Sequence, residues 1–168
     1  ERMKLSAFAL FAPLWTLLVY CPVAKWIWGN EPAETGFFAL QNAGALDFAG
    51  GTVVHVNAGV AALVAALMVG KRREPDRKNA APHNIPFCVL GVALLWFGWF
   101  GFNAGSAGAA NPQAVIAFVN TQLAAASGGL AWFAMAWTLQ NRPSAVALAS
   151  GVISGLVAIT PACGYVSP

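Results

Sequence analysis

Long apolar runs alternate with short polar stretches along this chain, and the alternation is the strongest pattern in it. A helix needs about 20 apolar residues to cross a hydrocarbon core. Five runs approach or exceed that length and predict spanning helices over residues 5–28, 48–70, 85–104, 114–139 and 144–163. The first connection, residues 29–46, carries the turn and breaker signals Gly29-Asn30, Glu31-Pro32 and Asn42-Ala43-Gly44. The second, residues 71–84, is short and charged. Connections this short leave no room for a second domain, so the pattern predicts one polytopic helical bundle, an all-α membrane protein. Small residues offer places for close helix approach: Gly151 and Gly155 in a GxxxG spacing, Gly128 with Gly129, and Gly59 with Ala62 and Ala66.

Composition sharpens this picture. With 58% hydrophobic and 9% charged residues, an ordinary charged surface around a soluble core is out of reach. The basic residues do not form a stripe of the kind that tracks phosphates, so nucleic acid is not an expected partner. They cluster between the runs, which sets an orientation. Arg2 and Lys4 precede the first run, Lys71, Arg72, Arg73, Arg77 and Lys78 follow the second, and Arg142 follows the fourth. If the runs alternate in direction, all of these fall on one side, leaving Lys25 with Glu31, Glu34 and Asp47 on the other. The N-terminus is therefore expected inside and the C-terminus outside. The first run follows Glu1-Arg2-Met3-Lys4 and lacks the short core and small-residue cleavage site of a signal peptide, so it reads as a true span. The chain has no initiator Met and ends just beyond the fifth run, the pattern expected of a piece of a longer protein. Cys21, Cys88 and Cys163 have neither disulfide nor metal-ligand spacing and are expected to be free, buried thiols. No metal or other cofactor is expected.

Polar groups at membrane depth must be paired, line a cavity or do work. His55 is the one ionisable side chain well inside a run. Eight residues beyond Asp47, it is expected about 12 Å deeper along the helix. It reads either as a neutral imidazole hydrogen-bonded to a neighbouring helix or as a group on a substrate or proton path, and the default for intramembrane ionisable groups favours the path. Asp47, just before Phe48-Ala49-Gly50-Gly51, fits plain N-capping of the second span, since a carboxylate there accepts from first-turn amides and suits the helix dipole. Such a buried cap can also help hold backbone carbonyls around a cation. Trp26, Trp28, Trp96, Trp99, Phe100 and Phe102 fall near the outer ends of the first and third runs. Interfacial belts explain most aromatic residues at such positions. The alternative is a cation site whose ring faces attract a positive charge, with Trp28 and Phe102 as candidates and the Ser106 hydroxyl as a nearby acceptor. His83, in Pro82-His83-Asn84, reads as a loop or helix-start residue at the cytoplasmic end of the third span.

These same residues carry a resemblance. The run Asp47-Phe48-Ala49-Gly50-Gly51-Thr52-Val53-Val54-His55-Val56-Asn57-Ala58, ending in Gly70-Lys71-Arg72, resembles the signature of the ammonium transporters of the Amt family. So does Gly98-Trp99-Phe100-Gly101-Phe102-Asn103-Ala104-Gly105-Ser106-Ala107-Gly108, followed in order by Phe118-Val119-Asn120-Thr121 and Thr160-Pro161-Ala162-Cys163-Gly164-Tyr165. The resemblance implies an eleven-helix fold with two inverted five-helix repeats, assembled as a homotrimer. The chain would correspond to helices four to eight, straddling the repeat boundary, which explains why no internal repeat is found. By the same resemblance Trp28 and Ser106 belong to an outer ammonium-recruitment site, and Phe102 is one of two stacked gating phenylalanines. Asp47 is the essential aspartate near that site, His55 is the first of two pore histidines, and Thr160 lies close to the outer site.

The implied function is transport rather than catalysis. Ammonium is recruited outside, loses its proton, and ammonia passes through a narrow apolar, histidine-lined pore. The setting is the cell membrane of a prokaryote, with a cytoplasmic PII-type signal protein as a partner. An ammonium sensor or a Rh-type ammonia channel would share the same core. A haem-binding membrane oxidoreductase would need paired histidine ligands, and this chain offers one at depth.

Overall fold

The computed structural model describes residues 2–29, 44–72 and 81–168. The turn signals between residues 30 and 43, and Arg73, Arg77 and Lys78, lie outside the described residues. Among those described, every regular element is a helix. The chain divides into two compact units, Glu1–Ala80 and Ala81–Pro168.

In the first unit, α1 spans Leu5–Trp28 and α2 spans Gly51–Val69. Two prolines punctuate α1. Pro22 has no N–H for the Leu18 carbonyl, and its ring crowds that oxygen. The helix widens just ahead of it into a π-helical stretch, Thr16–Tyr20, where the Cys21 N–H reaches back five residues to the Thr16 carbonyl. Wider turns of this kind relieve an interrupted ladder without ending the helix. At the opposite end, Arg2 donates from Nη1 to the Gly70 carbonyl at 2.6 Å, tying the start of α1 to the end of α2. A guanidinium there also answers the partial negative charge of the α2 C-terminus.

The second unit holds α3 (Ile85–Gly105), α4 (Pro112–Gln140) and α5 (Ala145–Ile159). One local device starts all three. Asn84 Oδ1 accepts from Phe87 N at 2.9 Å, Asn111 Oδ1 from Ala114 N at 2.9 Å, and Ser144 Oγ from Ala147 N at 3.2 Å. Pro86 and Pro112 occupy first-turn positions where a missing N–H costs nothing. Helices α4 and α5 pack backbone to backbone because glycines line their crossing. A Cβ at Gly128 would lie 2.6 Å from the Gly151 carbonyl oxygen and 2.9 Å from Gly155 Cα. Around this contact Ala125, Val152 and Leu156 form a buried core, against which Val92, Trp96, Trp99 and Ile153 pack.

Among the described residues, four helices are long and apolar enough to cross a membrane. The fifth apolar run is a 15-residue helix, after which Thr160 to Tyr165 turn. Large apolar side chains face outward along the long helices: Leu5 is 82% exposed, Met68 84% and Phe97 79%. Water tolerates scattered groups of this kind but not four helices clothed in them, so this is a multi-pass membrane protein. Cys163 is buried as expected, its thiol donating to the Thr160 carbonyl at 3.4 Å, but Cys21 and Cys88 are exposed. Both sit in apolar sequence on outward helix faces, so hydropathy did not reveal their exposure within the chain.

Candidate functional site

The segment before α2 is organised by one carboxylate. Asp47 Oδ1 accepts from Gly50 N at 3.0 Å and Gly51 N at 2.6 Å, and Oδ2 accepts from Thr52 N at 2.8 Å and Val53 N at 3.0 Å. All four orphan amides of the helix start are thus gathered on one side chain, which is itself buried. The indole Nε1 of Trp28 donates to the Asp47 carbonyl at 2.8 Å, so the end of α1 is fastened to the same turn. Gly50 makes the turn possible, with φ of 102°. A Cβ there would lie 2.8 Å from Val54 Cγ2 and 3.3 Å from the Trp28 ring. Gly50→Ala is expected to destabilise the folded protein by about 2 kcal/mol, combining left-handed backbone strain with overpacking against Trp28. Thermal unfolding of the two proteins in detergent checks this, and an unchanged midpoint would contradict it.

His55 lies in the first turns of α2, and these are π-helical over Gly51–Val56. Its N–H reaches Gly50 O at 3.1 Å, five residues back, while Val54 N also bonds Gly50 O at 2.8 Å. The expectation of a 12 Å depth difference from Asp47 is corrected here. Residues 47–50 are not helical and the helix that begins at Gly51 is π-helical through Val56, so the α-helical rise of about 1.5 Å per residue does not run from Asp47 to His55. The imidazole is partly buried. Asp47, Trp28 and His55 are therefore brought together through one turn, Asp47 and Trp28 by side-chain hydrogen bonds to its backbone and His55 by its own backbone N–H on Gly50 O.

In the second unit Phe102, Ser106 and Thr160 are linked through Trp99. Ser106 Oγ donates to the Phe102 carbonyl at 2.8 Å, one turn earlier, and its oxygen retains acceptor capacity. The Trp99 and Phe102 rings meet edge to face, with centroids 5.9 Å apart and planes at 68°. Trp99 Nε1 donates to Thr160 Oγ1 at 2.9 Å, and Thr160 Oγ1 donates to the Leu156 carbonyl at 2.7 Å. Phe102 is 39% exposed, whereas Thr160 has no exposed surface. The turns after α5 are held by Asn120, whose Nδ2 bonds the carbonyls of Cys163 and Val166, each at 2.8 Å, and by Gln113 Nε2 on Gly164 O at 3.2 Å. His83 precedes the Asn84 cap of α3.

Sequence reasoning missed three of these features: the π-helical setting of His55, the indole bond from Trp28 to the Asp47 backbone, and the Trp99–Thr160 pair. Glycine pairs after an acid hint at the first. The others join residues 19 and 61 positions apart, and nothing in a linear pattern announces them.

Two helical units, one with an acid-gathered turn and a histidine in a widened helix start, the other with an edge-to-face Trp99–Phe102 pair, define the class, a polytopic membrane protein with polar groups set at the ends of its spans. The chain belongs to the Ammonium Transporter Family, whose pattern it matches along residues 1–168. It is 52% identical over 166 residues to an ammonium transporter of Aquifex aeolicus, covering 99% of this chain and 37% of that protein. Its structure is similar to that of Mep2 from Candida albicans with a TM-score of 0.88 at 45% identity, covering 99% of this chain and 36% of that one. It is also similar to a structure described as a sensor Amt protein, with a TM-score of 0.78 at 36% identity, covering 92% of this chain and 40% of that one. The chain thus spans well under half the length of these relatives.

Proposed function

We propose that this chain forms part of an ammonium transport path. The family match along all 168 residues carries the reading. Ammonium is received at Trp28, Phe102 and Ser106, near Asp47 and Thr160, loses its proton, and crosses as ammonia along an apolar pore that His55 lines. The physical reason for deprotonation is desolvation: a bare cation in a narrow dry pore is very costly, whereas neutral ammonia loses little. His55 hydrogen-bonds the ammonia and, with a second histidine, conducts the proton. The complete protein works as a homotrimer in the cell membrane, with the N-terminal end of this chain inside, its C-terminal end outside, and a PII-type protein as cytoplasmic regulator. The hydrogen bond from Arg2 to Gly70 supports the orientation, because it keeps Arg2, Lys71 and Arg72 at one end of the first unit.

Ammonium uptake by the complete protein in proteoliposomes, compared with empty vesicles, tests the reading, and absence of saturable uptake would refute it. Trp28→Leu separates recruitment from conduction. It removes a cation-binding ring face, so the half-saturation concentration is expected to rise about 2- to 30-fold with a smaller change in maximal flux. An unchanged half-saturation concentration counts against the recruitment role. A second reading, ammonium sensing, draws on the similarity to the sensor Amt protein. It predicts ammonium-dependent output from an attached signalling domain, with negligible flux in the same vesicles.

A further inference from the structure

The Thr160 hydroxyl is engaged in both directions. It donates to Leu156 O at 2.7 Å and accepts the Trp99 indole proton at 2.9 Å, and the residue is wholly buried. A side chain in this state has no surface to offer a cation. It does have a fixed direction, since the bond to the preceding turn of α5 locks the rotamer and aims a lone pair at Trp99. Trp99 in turn sets its ring edge to face against Phe102, at a centroid distance of 5.9 Å. The contact joins α5 to α3 across 61 residues, at the end of the buried core formed by Val152, Leu156 and their neighbours.

We infer that Thr160 is a positioning residue, which holds Trp99 by its indole N–H and through it fixes the ring of Phe102. This inference rests on the transport reading, in which ammonium is received at Phe102 and the ring, as the family resemblance implies, gates the path, and it replaces direct ammonium contact as the role of Thr160. Without the hydroxyl, the indole N–H loses its partner in a buried setting and the Trp99 ring can turn. The Phe102 ring then samples orientations that close or misalign the path. Serine preserves both hydrogen bonds, whereas valine preserves the shape and removes them.

The test compares five forms of the complete protein, reconstituted and normalised to folded molecules: wild type, Thr160→Val, Thr160→Ser, Trp99→Phe, and the combination of Thr160→Val with Trp99→Phe. Loss of the bond is expected to lower maximal ammonium flux about 5- to 10-fold in Thr160→Val. The half-saturation concentration is expected to stay within about 2-fold. Thr160→Ser is expected to retain wild-type flux, and Trp99→Phe to reproduce the Thr160→Val defect. The combination is expected to be no worse than either single change, because both remove the same interaction. A general packing defect would instead give additive losses and no rescue by serine, and that result overturns the inference. A raised half-saturation concentration in Thr160→Val with normal Trp99→Phe also overturns it, in favour of direct binding. If Thr160→Val fails to assemble, Trp99→Phe decides: normal flux overturns the inference, and maximal flux about 5- to 10-fold below wild type with an unchanged half-saturation concentration supports it. A wild-type protein without saturable uptake overturns the transport reading itself, an outcome separable from all of these.

Discussion

Replacing His55 by leucine in the complete protein is expected to abolish or severely reduce ammonium transport while leaving membrane insertion intact. The asymmetry follows from the position of the residue. Leucine is favourable within a spanning helix where a polar group is not, so the change lowers the cost of insertion as it removes the only ring nitrogens in α2. The π-helical turn around His55 does not depend on the imidazole. It is held by the backbone bonds of Val54 and His55 to Gly50 O, and by the Asp47 carboxylate, all of which leucine leaves in place. Uptake and thermal stability of the assembled protein are to be measured on the same reconstituted sample. A stable protein with near-normal flux would sink the pore role of His55. A destabilised protein with normal flux per surviving molecule would make the histidine a structural residue, hydrogen-bonded to a neighbouring helix.

Asp47 is expected to show the opposite balance. Asp47→Ala strips the acceptor from the amides of Gly50, Gly51, Thr52 and Val53, three of them on buried residues. Hydrogen bonds to an ionised group contribute about 1.5–3 kcal/mol each, and these four share one side chain and are not additive. A loss on the order of 3–5 kcal/mol is therefore expected, enough to unseat Trp28, which bonds the same turn, and to abolish transport along with the fold of that segment. Asp47→Asn is the sharper probe. Its amide nitrogen cannot accept, so two backbone donors face another donor, and stability is expected to fall nearly as far as in Asp47→Ala. If Asp47 instead acts by holding ammonium, Asp47→Asn should melt like the wild type while its half-saturation concentration rises. That outcome would transfer the residue from scaffold to binding site.

The two substitutions differ because one residue sustains the backbone and the other projects from it, a distinction the sequence carries only in part. An aspartate before Gly50-Gly51 reads as a cap from local pattern alone, and the structure extends that cap to four amides. The caps Asn84, Asn111 and Ser144 are equally local, each bonding an amide three positions on, yet the apolar pattern alone did not reveal them and placed the fourth start at residue 114 rather than at Pro112. The helical class and the membrane setting were legible for a related reason: hydropathy and run length are sums over neighbours, and a bilayer admits few backbone solutions for an apolar run.

What tertiary structure decided lies beyond that range. No spacing rule joins Trp99 to Thr160, or Asn120 to the carbonyls of Cys163 and Val166, since these bonds depend on how α3, α4 and α5 cross. The crossing depends on glycines whose role is visible only when Gly128 faces Gly151 and Gly155. The widening of α1 before Pro22 and of α2 at His55 was hidden as well, because a π turn differs from an α turn by one residue in hydrogen-bond reach, too little to alter an apolar pattern. The sequence therefore determined the helical class and the membrane setting, and it offered Asp47 as a local cap. Only the packed chain decided how deep His55 sits relative to Asp47, which way the Trp28 and Trp99 indoles point, and that the Thr160 hydroxyl faces a partner within the protein, because directions and distances are set by contacts between residues far apart in the chain.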